Sequence, residues 1–454
     1  MRDLLLQREP ADYDVATDAT PNQVMEIFPQ TFAVGAQFGV VLVPLKARTT
    51  EDTEEHRGSA SRENELVRER VVTGTAGGSS SQQYLSAPAL GITVEVATFR
   101  SDVGYSDGRH PDEVRFSRDP REDVQRRDFT INGMMLDPVT AEILDFVGGR
   151  DDLKSGVVRA IGDPERRFSE DKLRMLRAVR FAARFEYAIE PATMAAIQRL
   201  APQIHQVSHE RVREELSKML TEGHARRAFL LLDQSGLLRE VLPEISAMKA
   251  VEQPPQFHPE GDVFVHTLLL LGKLEAGCSK TLAWGALLHH VGKPPTFRVA
   301  PDRIRFDGHV EVGVKMAAEI CRRLRFSNDE TDQILALVDN HMRFGDAQRM
   351  KDSTLKKFFR LPGFEEHLEL HRMDCLSSFG QLDSYEYVRE KLNALPPEAI
   401  RPVPLVTGSD LIAAGYGPGP RFKEILGAVE DAQLEGKLAS RGAAMEWVLR
   451  EFPL

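Results

Sequence analysis

Residues 168–185 read FSEDKLRMLRAVRFAARF, from Phe168 to Phe185. At 100° per residue, Arg174, Arg177, Arg180 and Arg184 share one arc of roughly 120°, with Glu170 inside it and Asp171 at its edge. Leu176, Val179 and Ala183 gather on another face and would pack inward. Ser169 suits an N-cap, and Glu170 and Asp171 suit the first turn, so the stretch predicts one amphipathic helix. A solvated arginine face is one reading. The other is a nucleotide cradle, because planar guanidinium forks clamp phosphates and pair with base edges.

The surrounding chain narrows the choice. Its 454 residues carry a net charge of −11, so any nucleic-acid contact must be local. Between Pro164 and Arg184 stand seven basic residues against three acidic ones, a local excess able to meet phosphates. The length suits about three domains. Cys278, Cys321 and Cys375 lie far apart without a CxxC, which argues against a disulfide framework or structural zinc and fits a reducing cytoplasm. No apolar run approaches membrane length, and the opening MRDLLLQREP lacks a signal peptide's apolar region. Cytoplasmic localisation without a membrane partner is therefore expected.

DYDVAT at 12–17 places Asp12 and Asp14 on one face of a strand. Alone the pair is weak, since about ten acid-x-acid triplets arise by chance in a chain this acidic. Pro21 opens a short helix, VGAQFGVVLVPL at 34–45 reads as a buried strand, and ITVEVATFR at 92–100 as another. Between them, 46–91 carries charge and then TGTAGGSSSQQ, the composition of a flexible insertion. YSDGRHP at 105–111 is a loop bearing Arg109 and His110, and RRDFTINGMMLDP at 126–138 is a loop entering a buried element. From residue 154 the periodicity is helical. His258, His266, His289, His290, His309 and His341 are six of the chain's thirteen histidines, and Asp339 stands close to the last. A metal site and scattered surface histidines are both open readings there. PVPLVTGSDLIAAGYGPGP at 402–420 reads as a linker into a short helical tail, with LVTGSDL as a helix start.

In order, MRDLLL, DYDVAT, EVATFR, DGRHP, RRDFTIN and EDKLRMLRAVRFAAR resemble the bacterial CCA-adding tRNA nucleotidyltransferase and poly(A) polymerase family, within the DNA polymerase beta superfamily. The resemblance runs nearly end to end, apart from residues 46–91. It implies an α+β fold: a nucleotidyltransferase head with a mixed sheet at 1–153, then an all-α remainder. That remainder comprises a base-reading neck at 154–227, a body at 228–390, and a linker and tail at 391–454. It implies Asp12 and Asp14 as the carboxylates holding two Mg2+ ions, with Glu95 a less securely matched third. Arg127 and Asp128 would hold ribose and phosphates, and Arg2, Arg177 and Arg180 would contact the nucleotide. Asp171 would accept from the exocyclic amine that cytosine and adenine share, while Arg174 donates to the ring nitrogen beside it. CTP, ATP and tRNA are the implied partners. A poly(A) polymerase acting on general RNA and a catalytically impaired RNA-binding relative are the alternatives.

Two departures stand out. Family members carry Gly-Gly before the positions of Arg2 and Asp3, so the first strand and its phosphate loop are expected to be missing. The histidine module resembles an HD phosphohydrolase, but His289-His290 stands where a His-Asp pair belongs. Hydrolysis is therefore not expected. His266, His289, His290, His309 and Asp339 remain candidates for a divalent transition metal.

Overall fold

The computed structural model describes residues 1–10, 12–33, 38–45, 93–105, 111–256 and 258–454. The expected insertion at 46–91 and the loop residues Arg109 and His110 lie outside them. The chain forms two compact units, Met1–Val207 and Ser208–Leu454. This division falls inside the segment expected as the neck, so the arginine-rich stretch belongs to the same unit as the head.

In the first unit, β1 (Asp14–Thr17) runs parallel to β3 (Thr93–Thr98), and β2 (Val40–Pro44) runs antiparallel to β3, in the order β1-β3-β2. Side chains alternate across a strand, which puts Val41, Val43 and Val96 on the covered face with Val24 of α1 (Pro21–Ile27). Glu95, one residue away from Val96, stays exposed. Pro21 at the first position of α1 gives up no helical hydrogen bond. The residues before β1 form a one-turn helix, Arg2–Leu5.

The helix expected at 168–185 is two helices. The first, α2 (Pro164–Glu170), is capped by Asp163, whose side chain accepts from the Glu165 N–H, so Ser169 lies inside the helix. The second, α3, spans Leu173–Arg184. Asp171 breaks the run: its backbone is extended and its Oδ1 accepts the Leu173 N–H at 3.0 Å. An aspartate that bonds two residues ahead offers the backbone an alternative to helix continuation. Nor is α3 a solvated face. Met175, Leu176, Ala178 and Val179 are wholly buried, and even Arg180 is only 6% exposed.

One carboxylate fixes α3 to the head. Asp128 Oδ1 accepts from the Phe129 N–H (2.8 Å) and from Asn132 Nδ2 (2.9 Å), while its Oδ2 takes Nε (2.9 Å) and Nη2 (2.7 Å) of Arg177. Burial alone would raise this carboxyl, but Arg177, Asn132 and the Phe129 N–H together hold it below its ordinary value.

The second unit is helical apart from a short hairpin, Arg298–Val299 with Ile304–Arg305. Its centre packs α4 (Val263–Leu271), α5 (Lys280–Leu288), α6 (His309–Arg323), α7 (Asn328–Asn340) and α8 (Phe364–Ser377). Gly292, between α5 and α6, admits no side chain, because a Cβ there would lie 2.1 Å from the His309 carbonyl oxygen. In the 402–420 stretch the helix start expected at LVTGSDL forms, with Thr407 as its N-cap. The stretch contains the helix Gly408–Ala413, and Val406, Leu411 and Tyr416 join Ile425, Val429 and Val448 in a separate small core.

The Asp128–Arg177 clamp makes a measurable prediction. A carboxyl whose folded pKa is depressed stabilises the fold above its ordinary value of 3.8, and that stability fades as pH falls through the lower folded value. Asp128→Asn should cost about 1–3 kcal/mol at pH 7, with the gap from wild type closing toward pH 3. Thermal unfolding across that range measures it, and equal midpoints at pH 7 would contradict the clamp.

Candidate functional site

The parallel register of β1 and β3 sets Asp14 directly beside Glu95. Paired residues of adjacent strands project to the same side, so both carboxylates stand on the open face of the sheet. Asp12, two residues earlier, is also exposed. Partial burial raises the Asp14 carboxyl, Asp12 raises it further, and Arg127 and the Met1 ammonium oppose them. Glu95 is raised in the same way, by partial burial and then by Asp14 and Asp12. Among the described residues, the sets of three or more ligand atoms within 4.8 Å of one another all lie in the histidine module, so this trio is assembled without being closed. Three oxygen donors burdened by one another's charge suit a hard divalent cation such as Mg2+.

The arginines arrive on carboxylate and carbonyl anchors. Asp123, 1% exposed, takes both arginines of the RRD motif: Arg126 at 2.7 Å on one oxygen and Arg127 at 3.0 Å on the other. Arg127 also donates to the Asn132 carbonyl at 3.2 Å. Arg2 pairs with Asp3 at 2.9 Å, donates to the Asn132 side chain and lies over the rings of Phe181 (4.9 Å) and Phe185 (4.6 Å). Arg180 lies over Phe181 at 4.3 Å. Arg174 is held by Glu170 (2.8 Å) and by the carbonyls of Arg167 (3.1 Å) and Arg126 (3.0 Å). Its carboxylate partner is thus Glu170, while the Asp171 side chain accepts the Leu173 N–H at the start of α3. Asp128, expected at the ribose or phosphates, is 8% exposed with both oxygens engaged.

The second unit gathers the histidines. His266 Nε2 lies 3.0 Å and His289 Nε2 3.8 Å from Asp374 Oδ1, and His290 completes the group. His290, His309 and His341 form a neighbouring trio, and His258, Glu260 and His266 another. Asp339 does not join them. It sits on the exposed side of α7, and the carboxylate comes from Asp374 on α8. Burial opposes the charge on Asp374, yet His266, His289 and His341 hold its carboxyl far below the usual range. Asp123, Glu260 and Asp374 were the residues that sequence reading missed. The signal for Asp374 was present, since His367, His371 and Asp374 fall at i, i+4 and i+7 on one helix.

Three family models match in chain order. Poly A polymerase head domain covers 1–76 and 57–159, the probable RNA and SrmB-binding site of polymerase A covers 186–249, and tRNA nucleotidyltransferase domain 2 (putative) covers 309–448. The Lactobacillus helveticus CCA-adding enzyme is 34% identical over 60% of this chain and 57% of its own length. The chain spans about half the length of several such relatives. A solved Bacillus stearothermophilus CCA-adding enzyme in complex with CTP superposes with a TM-score of 0.67 at 25% identity, covering 99% of this chain and 92% of that one. The A-adding tRNA nucleotidyltransferase of Deinococcus radiodurans is 32% identical over 72% of this chain and 79% of that protein. With a sheet bearing paired carboxylates, an arginine-rich helix packed in the same unit and relatives aligned across most of its length, this chain belongs to the tRNA nucleotidyltransferase and poly(A) polymerase family.

Proposed function

We propose that the chain adds C and A to the 3′ end of tRNA from CTP and ATP, without a template and with Mg2+. The observation that carries this reading is the placement of Asp14 beside Glu95, within electrostatic reach of Arg127 and in the same compact unit as the arginines of α3. The likeness to a CCA-adding enzyme solved with CTP supports the substrate class. A second reading, addition of A alone, is favoured by the A-adding Deinococcus relative.

In this account Asp12, Asp14 and Glu95 hold the ions. Bound there, Mg2+ would supply charge stabilisation for the attacking 3′ oxygen and the departing pyrophosphate. Arg127, fixed by Asp123, faces the carboxylates and can meet phosphate. Arg2, Arg177 and Arg180 crowd around Phe181, and phosphate contact from guanidinium groups already held in place costs little side-chain entropy. Asp128 acts as a positioning residue, through Arg177 and Asn132. Asp171 and Arg174 read the base: a carboxylate accepts from the amine of C or A, a guanidinium donates to the ring nitrogen, and U or G leaves both mismatched. Glu170 and the backbone keep Arg174 in one orientation. The histidine module holds a divalent transition metal and does not hydrolyse phosphate esters.

Asp12→Ala and Asp14→Ala should each lower transfer by more than ~10²-fold while leaving the unfolding midpoint near wild type. Labelled CTP on tRNA lacking its last three nucleotides, and labelled ATP on tRNA ending in CC, measure the loss and separate CCA from A-only addition. Most activity surviving in either variant would sink the assignment.

The paired substitution Asp171→Ala with Arg174→Ala should let UTP and GTP compete with CTP and ATP, eroding discrimination by about 1–3 kcal/mol. If the variant is folded and slow but still strict, the two residues only shape the α2–α3 break.

A further inference from the structure

Arg167, in the last turn of α2, is 8% exposed. A guanidinium so enclosed needs acceptors for its donors, and its planar fork fixes where they must lie. Three are present. Nε donates to the Ile161 carbonyl at 3.1 Å, Nη2 to the Gln125 carbonyl at 2.6 Å, and Nη1 to Glu170 Oε2 at 2.7 Å. Arg166, the next residue along, is the contrast. Its side chain is 79% exposed and comes no nearer to Glu170 than 3.5 Å.

The acceptors of Arg167 surround the residues that hold Arg174. Glu170 Oε2 is shared, since it also takes Nη1 of Arg174 at 2.8 Å, and the Arg167 carbonyl accepts from that same Nη1 at 3.1 Å. Gln125 and Arg126 are consecutive, and the Arg126 carbonyl takes Nη2 of Arg174 at 3.0 Å. Ile161 gives its own N–H to the Asp128 carbonyl at 3.1 Å. Arg167 therefore grips the 125–128 segment at both ends, directly at Gln125 and through Ile161 at Asp128. Between those ends lie the carbonyl that orients Arg174 and the whole of Arg127, which is within electrostatic reach of Asp14. A lysine could supply the charge, but its single ammonium could not span three acceptors on separate stretches of chain.

We infer that Arg167 is a positioning residue whose fork locks the base-reading Arg174 to the backbone that carries Arg127, so that base and phosphates are aligned as one unit. The inference rests on the reading of Asp171 and Arg174 as the base-reading pair. Arg167 itself touches no substrate. It acts through Arg174, whose guanidinium discriminates bases only while it keeps one orientation toward the ring nitrogen. It acts also through Arg127, because a small displacement of a group that meets the reacting phosphates costs rate. The path between the two is one residue long, from the Arg126 carbonyl to Arg127.

The test uses the full chain with Mg2+, tRNA lacking its terminal CCA or ending in CC, and each of the four triphosphates, well below the unfolding midpoint of every variant. Arg167→Lys keeps the charge and loses the fork, and Arg167→Gln loses both. In each, the rate at saturating CTP or ATP should fall roughly tenfold, the half-saturating concentration should stay within about twofold, and the preference over UTP and GTP should fall roughly tenfold. Arg166→Gln should keep wild-type base choice. If Arg167→Gln does not fold, Arg167→Lys still decides. Wild-type base choice in Arg167→Lys, or an effect confined to the half-saturating concentration, would overturn the inference and leave Arg167 as a fastening of α2. The variant carrying both Asp171→Ala and Arg174→Ala is run alongside. Relaxed base choice there but not in the Arg167 variants sinks the inference and leaves the base-reading pair standing. Strict base choice in all of them sinks both.

Discussion

Asp128 carries its charge almost out of contact with water, and four donors surround it. Two belong to Arg177 on α3, and the others to Phe129 and Asn132 of the head. Asn132 in turn accepts from Arg2 with its side chain and from Arg127 with its carbonyl. One buried carboxylate thereby sets the azimuth of α3 and the placement of three arginines from distant parts of the sequence. A buried ion pair is weak evidence for stability, because desolvation offsets much of its attraction, and specifying register is its best-attested use. That use fits here, where a rotation of α3 would pull Arg177 off Asp128 and Arg174 off Glu170.

The two units hold charge in opposite ways. On the first, Asp12, Asp14 and Glu95 are exposed oxygen donors, with the carboxyls of Asp14 and Glu95 raised by partial burial and by their acidic neighbours. In the second, the ligand atoms are buried, mostly nitrogen, and braced by carbonyls and Glu260. An open carboxylate face stays accessible to solvent, whereas the buried imidazoles are shut away from it.

Much of this was legible because strand pairing and helix faces follow short-range periodicities. Asp14 and Glu95 each sat in a readable strand, and both strands formed. The failures came where a local competitor or a distant partner decided. Asp171 looked like a first-turn residue, yet its bond to the Leu173 N–H ended one helix and began another. Arg174 is held by Glu170, which the helical arc had placed among the arginines without assigning it that role. Asp339 was chosen for its nearness to His341 in sequence, whereas Asp374, thirty-three residues beyond, reaches the histidines through the packing of α8. Asp123 gave no signal at all, because an acid that anchors two arginines looks like any other acid until the chain folds.

The central claim is that a carboxylate trio and a clamped arginine helix transfer C and A, and only these, to tRNA. Single-turnover incorporation from each of the four labelled triphosphates, with Mg2+ and tRNA lacking its terminal CCA, tests it most directly. The account predicts addition from CTP, then from ATP once the C residues are in place, with UTP and GTP left unused. Equal use of all four triphosphates, or none from any of them, would contradict it.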